Sequence, residues 1–241
     1  EWESPWTHAM GVELYKHIRS LQPDILINNR VDKGRRGMEG TTQSGEFLGD
    51  YETPEQRVGG FNRAEPWESC ITIGSQWAWK PDDKLKSLQQ CIHTLLHVVG
   101  GDGNLLLNVG PMPDGRIEPR QVQRLREIGQ WLDEFGDTVY GTRGGPFKPG
   151  PWGASTCKGN KVYVFVMQWP ADHSLQLPPI DATVKSSRTL SQSHAQVSQA
   201  GDGLTISLSE PSSQDPIVTV LELTTEGKAY DIEPVEVVEP R

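Results

Sequence analysis

A chain of 241 residues with a formal net charge of −9 lacks the basic footprint that phosphate binding needs, and its scattered lysines and arginines argue against a nucleic-acid role. No apolar run approaches the ~20 residues that span a bilayer. The three cysteines, Cys70, Cys91 and Cys157, are odd in number and widely spaced, so they form neither a disulfide framework nor a metal motif. The chain opens on Glu1 without an initiator methionine or a signal-peptide pattern, and its start therefore reports no compartment.

After Ser4-Pro5 the spacing of Val12, Leu14, Tyr15, Ile18 and Leu21 predicts an amphipathic helix, stopped at Gln22-Pro23. Residues 24–30 read as a short buried strand that ends in Asn28-Asn29-Arg30. The stretch 31–66 has no sustained period and reads as one long loop region, the kind that carries function. A second strand follows over 67–73, with Cys70 as a small core residue, and leads to Trp77 and Trp79. Leu85, Leu88, Ile92, Leu95, Leu96 and Val99 give a helix over 82–99, with Asp82 and Asp83 near its positive end and Cys91 on its apolar face.

Residues 100–119 are the most informative stretch. Leu105, Leu106, Leu107 and Val109 sit between glycine clusters, as in a strand buried on both faces, with Asn108 at its exit. Asn108 is expected to serve loop backbone groups. Gly110-Pro111 stops the strand, Pro113-Asp114-Gly115 turns the chain, and a helix runs over 118–135. From about Gly144 the style changes to apolar runs such as 161–166, 204–208 and 217–223, separated by turns, which predicts an antiparallel β-sandwich. The acidic tail 224–241 reads as an edge extension or a loosely held end. Three strands within residues 1–143 are too few for a closed (β/α)8 barrel, which takes about 250 residues, so an N-terminal half is expected beyond this chain.

Barrel-type folds keep reactive groups at strand ends. Arg30, Trp77 and Asn108 occupy such ends, and the eight tryptophans suit a sugar-handling cleft as well as a core. Among Glu46, Asp50, Glu52 and Glu55, composition does not choose a general acid. His93 and His97 lie four apart on a helix without a partner motif, so they read as core or surface histidines, and there is no P-loop or dinucleotide fingerprint.

Several blocks in order resemble the second half of the α-L-fucosidases of glycoside hydrolase family 29. They are Glu1-Trp2-Glu3, Asn28-Asn29-Arg30, Trp67-Glu68-Ser69-Cys70 running to Trp77, Gly103 through Pro111, and Gly129-Gln130-Trp131-Leu132 with Val139-Tyr140-Gly141. The resemblance is strong over about 1–142 and weaker beyond. It implies the C-terminal half of a (β/α)8-like barrel over 1–143, followed by a β-sandwich over 144–241. The implied activity is a retaining exo-glycosidase that releases terminal α-L-fucose from fucosylated glycans without a metal or organic cofactor. Its nucleophilic aspartate would lie just before Glu1, and its sugar-binding histidines in the N-terminal half. Glu55 matches the general acid/base, with Glu52 and Glu46 as alternatives. Arg30 matches an arginine that contacts the sugar and the nucleophile region, and Trp77 an aromatic that packs on the C5-methyl side of fucose.

The implied partners are a fucosylated oligosaccharide and the N-terminal barrel half. No nucleic acid or membrane is implied, and a homo-oligomer is allowed. The substrate class implies a secreted, periplasmic or lysosomal setting. A non-catalytic carbohydrate-binding fragment is the alternative reading, and a glycosidase of another sugar specificity the third.

Overall fold

The computed structural model describes residues 5–43, 45–209 and 215–238, so the Glu1-Trp2-Glu3 block lies outside the described residues. Parallel pairing organises the first part of the chain. Strand β1 (Glu68–Thr72) pairs with β2 (Asn104–Asn108), Glu68 opposite Asn104 and Thr72 opposite Asn108. Helix α2 (Leu88–Gly100) makes the crossover that parallel strands require. On the other edge of β1 the Cys70 N–H donates to the Pro54 carbonyl and the Gln56 N–H to the Cys70 carbonyl, each at 2.9 Å. The Asn29 N–H then donates to the Tyr51 carbonyl at 3.0 Å. Parallel stretches therefore lie side by side in the order 27–29, 50–56, 68–72 and 104–108.

This arrangement overturns some expectations and sharpens others. The strand over 24–30 shrinks to one bridge at Asn28, whose side chain accepts the Arg30 N–H and caps a 3-10 turn at Asn29–Val31. Leu26 is 74% exposed. The stretch 31–66 is not one irregular loop. It holds the extended segment 50–56 and a hairpin closed by the antiparallel bridge Arg35–Thr42. Strand β2 is not buried on both faces. Among the described residues its one ladder is with β1, and Leu106 is 43% exposed.

The helices shift for local reasons. α2 starts at Leu88 rather than 82, because Ser87 and Gln90 form a reciprocal capping box. Asp82 and Asp83 therefore precede the helix. Helix α1 (His8–Leu21) begins at the Thr7 cap, but of its predicted stripe Leu14 and Leu21 are exposed. Helix α3 (Pro119–Phe135) matches its prediction, with proline at the first position, where no helical N–H is lost. Cys70 is half-buried rather than core; Cys91 and Cys157 are buried.

Beyond α3 the chain forms β3 (Arg143–Gly144), β4 (Gly153–Lys158), β5 (Lys161–Val166), β6 (Ser174–Leu177), β7 (Val184–Thr189), β8 (Ala195–Ala200), β9 (Gly203–Leu208) and β10 (Thr219–Thr225). They make two antiparallel sheets, ordered β3-β4-β5-β10-β7 and β6-β9-β8. The run Lys161–Val166 is apolar on both sides because both faces are covered. Val162, Val164 and Val166 join Leu175, Leu204 and Ile206 in the core between the sheets. Tyr163 and Phe165 turn to the other side and pack with Ile92 and Leu96 of α2 and with Trp131 and Phe135 of α3. Two-residue alternation thus welds the β-rich part to the helices of the first part. The tail is an edge extension as far as it is described, since the Val235 N–H donates to the Pro146 carbonyl at 2.8 Å and Ile232 is buried.

Candidate functional site

The parallel stretches all deliver their C-terminal ends to one side, and polar residues collect there. Thr53, buried in the 50–56 segment, is the hub. Its hydroxyl donates to Asn29 Oδ1 at 2.8 Å and accepts from Arg30 Nε at 3.2 Å and Arg35 Nε at 2.9 Å. Both guanidinium groups reach on to Glu55: Arg30 Nη2 lies 2.7 Å and Arg35 Nη2 3.2 Å from Oε2. Arg35 Nη2 also donates to the Thr53 carbonyl at 2.9 Å. Among the described residues no hydrogen bond engages Oε1 of Glu55. The structure thus brings Arg30 and Glu55 into direct contact.

Backbone pairing fixes this cluster. The hairpin around the Gly37–Glu39 turn receives the Glu55 N–H at the Met38 carbonyl, 2.9 Å, and the Thr53 N–H at the Gly40 carbonyl, 3.0 Å. Asn29 Nδ2 donates to the same Gly40 carbonyl at 2.6 Å. Burial pushes the Arg35 guanidinium below its ordinary range, the Arg30 charge adds to this, and Glu55 opposes it. Burial also pushes the neighbouring Cys70 thiol up, against the pull of Arg30, which disfavours a nucleophilic thiolate.

Trp77 stands beyond β1 on a separate loop and is 39% exposed. Asn108 Nδ2 donates to the Trp77 carbonyl at 3.0 Å, so Asn108 does serve a loop backbone group. Asp83 anchors the same loop, accepting the Ser75 hydroxyl at 2.5 Å and the Ser75 and Lys84 N–H groups at 3.0 and 2.8 Å. The Ser75 hydroxyl foremost, then the Ser75 N–H and the Lys80 ammonium, pull the Asp83 carboxyl down to about 2 against the opposing effect of burial. Trp79 donates its indole N–H to Glu118 at 3.2 Å. Trp67, Trp131 and Trp152 are buried core residues.

The other carboxylates differ in placement. Asp50 is a staple, accepting Arg19 Nη2 at 2.5 Å and the Ile27 N–H at 2.6 Å. Glu52 Oε1 accepts the Thr42 N–H at 2.8 Å and so braces the hairpin. The side chain of Glu46 is 83% exposed, 3.9 Å from His8 Nε2, while His8 Nδ1 lies 2.8 Å from the buried Asp32. His93 and His97 donate Nε2 protons to the Ile217 and Gly150 carbonyls at 2.7 and 3.0 Å, docking α2 on the β-rich part. Among the described residues no group of three or more His, Cys, Asp and Glu side chains converges as a metal site would.

Sequence reasoning passed over Asn29, Thr53 and Arg35. A usable signal lay in Gly34-Arg35-Arg36-Gly37, where glycines flank paired arginines and mark a hairpin that returns a cation over the strand ends.

A family model described as Alpha-L-fucosidase matches residues 1–137. An alpha-L-fucosidase of Branchiostoma floridae is 27% identical over 233 residues, which covers 88% of this chain and 49% of that protein. The chain spans about half or less of the length of the curated relatives it matches. Among solved structures, alpha-L-fucosidase isoenzyme 1 from Paenibacillus thiaminolyticus superposes with a TM-score of 0.74 at 30% identity, covering 90% of this chain and 53% of that one. A GH29 alpha-L-fucosidase from Bacteroides thetaiotaomicron, trapped as a covalent intermediate with 2-fluoro-fucosyl fluoride, superposes with a TM-score of 0.76 at 25% identity, covering 90% and 52%.

Proposed function

This chain belongs to the alpha-L-fucosidase family, and from that premise we propose that it is part of a retaining glycosidase that releases terminal α-L-fucose from fucosylated glycans. In this reading residues 1–143 belong to a (β/α)8-like catalytic barrel and residues 144–241 to an accessory β-sandwich. The nucleophilic aspartate comes from residues preceding Glu1, in an N-terminal barrel half that completes the site. A secreted, periplasmic or lysosomal setting follows from the substrate class.

The observation that carries the reading is the Arg30–Glu55 contact, made at the ends of adjacent parallel segments. Retention needs two carboxyl groups about 5–5.5 Å apart. Glu55 acts as the general acid, giving its proton to the glycosidic oxygen as the bond from that oxygen to the anomeric carbon breaks. The nucleophile takes up the anomeric carbon as an ester. Water then attacks that carbon, the ester bond breaks, and the water proton passes to Glu55. Arg30 leaves Glu55 to bind polar sugar oxygens and the nucleophile, so the cation that favours an ionised carboxyl faces the nucleophile while Glu55 holds its proton. Trp77 offers an aromatic face to the apolar side of the sugar. The covalent intermediate trapped in the Bacteroides thetaiotaomicron enzyme supports the two-step route.

The test is Glu55→Gln in the protein that carries this chain, assayed on phenyl α-L-fucoside. A loss of roughly 10²–10⁴-fold is expected, the usual contribution of a general acid, with azide restoring turnover of an activated fucoside as the fucosyl azide. Unchanged turnover would move the role to Glu46 or Glu52. A protein that binds fucose without hydrolysing any fucoside would favour the carbohydrate-binding alternative.

A further inference from the structure

The two arginines at Glu55 are held differently. Arg30 has a side chain 41% exposed and, among the described residues, one side-chain anchor besides Glu55, the Thr53 hydroxyl at 3.2 Å. Arg35 is 17% exposed and is tied to Thr53 twice, through Nε to the hydroxyl at 2.9 Å and Nη2 to the carbonyl at 2.9 Å. Its own backbone belongs to a hairpin that accepts the N–H groups of Thr53 and Glu55. Arg35 is therefore built into the residues it serves, whereas Arg30 reaches in from a solvent-facing position.

Both cations contact the same oxygen of Glu55. An arginine that also binds sugar oxygens cannot keep full hold of the carboxyl. A second, fixed guanidinium removes that conflict, since it holds Oε2 in place and leaves Oε1 as the oxygen turned to the leaving group. We propose that Arg35 is the positioning residue for Glu55, aiming its carboxyl for proton transfer while Arg30 engages substrate. The proposal rests on the reading of Glu55 as the general acid/base.

Two fucosides separate this role from a merely structural one. A 2,4-dinitrophenyl leaving group departs without a proton, whereas phenol needs one. The ratio of kcat/KM on the two substrates, measured on one preparation, does not depend on how much of the enzyme is folded. In Arg35→Met that ratio is expected to move about tenfold or more against the phenyl fucoside, a fraction of the roughly 10²–10⁴-fold that general acid catalysis supplies. Arg35→Lys, which keeps the charge but cannot bridge Thr53 and Glu55 with a planar fork, is expected to fall between wild type and Arg35→Met.

Glu55→Gln, run alongside, separates the two ideas. If it shows no leaving-group dependence, the reading of Glu55 is wrong. If it shows that dependence while both Arg35 variants keep the wild-type ratio, or lose activity on the two substrates equally, Glu55 stands and the role of Arg35 is overturned. Should Arg35→Met fail to fold, a wild-type ratio in Arg35→Lys alone has the same force.

Discussion

Asp102 holds Arg143 in a two-pronged pair, with Nε–Oδ1 at 2.9 Å and Nη2–Oδ2 at 2.6 Å, and it accepts the Gly144 N–H at 2.5 Å as well. The turn between α2 and β2 is thereby tied to the first strand of the β-rich part. The Asp102 side chain is almost fully covered, while half of Arg143 meets solvent, so the pair is only partly screened. Asp102 also has a left-handed backbone, φ 70°, which asparagine tolerates better than alanine. Asp102→Ala is expected to lower the unfolding free energy by about 1–3 kcal/mol, and Asp102→Asn by less. Urea melts of the two variants check the order, and equal stability of Asp102→Ala and wild type would refute the clamp.

Gly40 seats the hairpin that carries Arg35. It has φ 70°, and a methyl group there would run into the Thr53 carbonyl, which belongs to rigid backbone. Gly40→Ala is expected to displace the hairpin from residues 53–55 and to lower kcat/KM on a fucoside by at least about tenfold, one tenfold step being 1.4 kcal/mol. Secondary structure elsewhere should survive, so circular dichroism would stay near wild type while activity falls. Full activity in the variant would show that the hairpin contact is dispensable.

The Asp83 carboxyl, ordinarily near 3.8, is held at about 2. A depressed folded-state value means that Asp83 stabilises the fold fully above its ordinary value, and that this contribution is lost as pH falls from about 4 toward 2. The stability gap between wild type and Asp83→Asn is therefore expected to be constant at neutral pH and to close within that acid window. Thermal melts between pH 2 and 6 would reveal a pH-independent gap if the anchoring is absent.

Asn108 and Trp77 give a binding-specific expectation. With the Asn108 amide removed, the Trp77 carbonyl loses its donor at 3.0 Å and the loop carrying the ring loosens. One ordinary hydrogen bond contributes about 1 kcal/mol, so Asn108→Ala should raise KM about fivefold and leave kcat nearly unchanged. A fall in kcat at constant KM would place Asn108 in the chemical step instead.

The helices and strands with clear periods were legible because their side chains meet apolar partners at fixed intervals. Ile92 and Leu96 on α2 and Trp131 on α3 lie at apolar-face positions of the helical period, and each is buried, whereas Leu125 fits the same period on α3 and is exposed. The segment 50–56 was not legible. It is held by its neighbours' backbone and by Asp50, Glu52 and Thr53, whose polar side chains find partners on α1, on the hairpin and at Asn29. A strand stabilised by polar contacts leaves no apolar alternation to read. The start of α2 was misplaced because Leu85 fits the helical period, whereas the Ser87–Gln90 box sets the boundary. The glycines at 101 and 103 read as turn residues, but they also make room for Trp67. A methyl group on Gly103 would lie 2.5 Å from three ring atoms of that indole.

The sequence alone determined the presence of helices α2 and α3 and of strands β1 and β2, the change to antiparallel strands near Gly144, and the family resemblance. All of these rest on local spacing and on ordered motifs, which survive without knowledge of distant contacts. Only the tertiary structure decided that the outer face of the five-stranded sheet is covered by α2 and α3, and that Thr53 gathers Asn29, Arg30, Arg35 and Glu55. Arg30 and Glu55 stand twenty-five positions apart along the chain yet 2.7 Å apart in space. Parallel pairing across intervening segments creates that contact, and no local pattern in either segment encodes it.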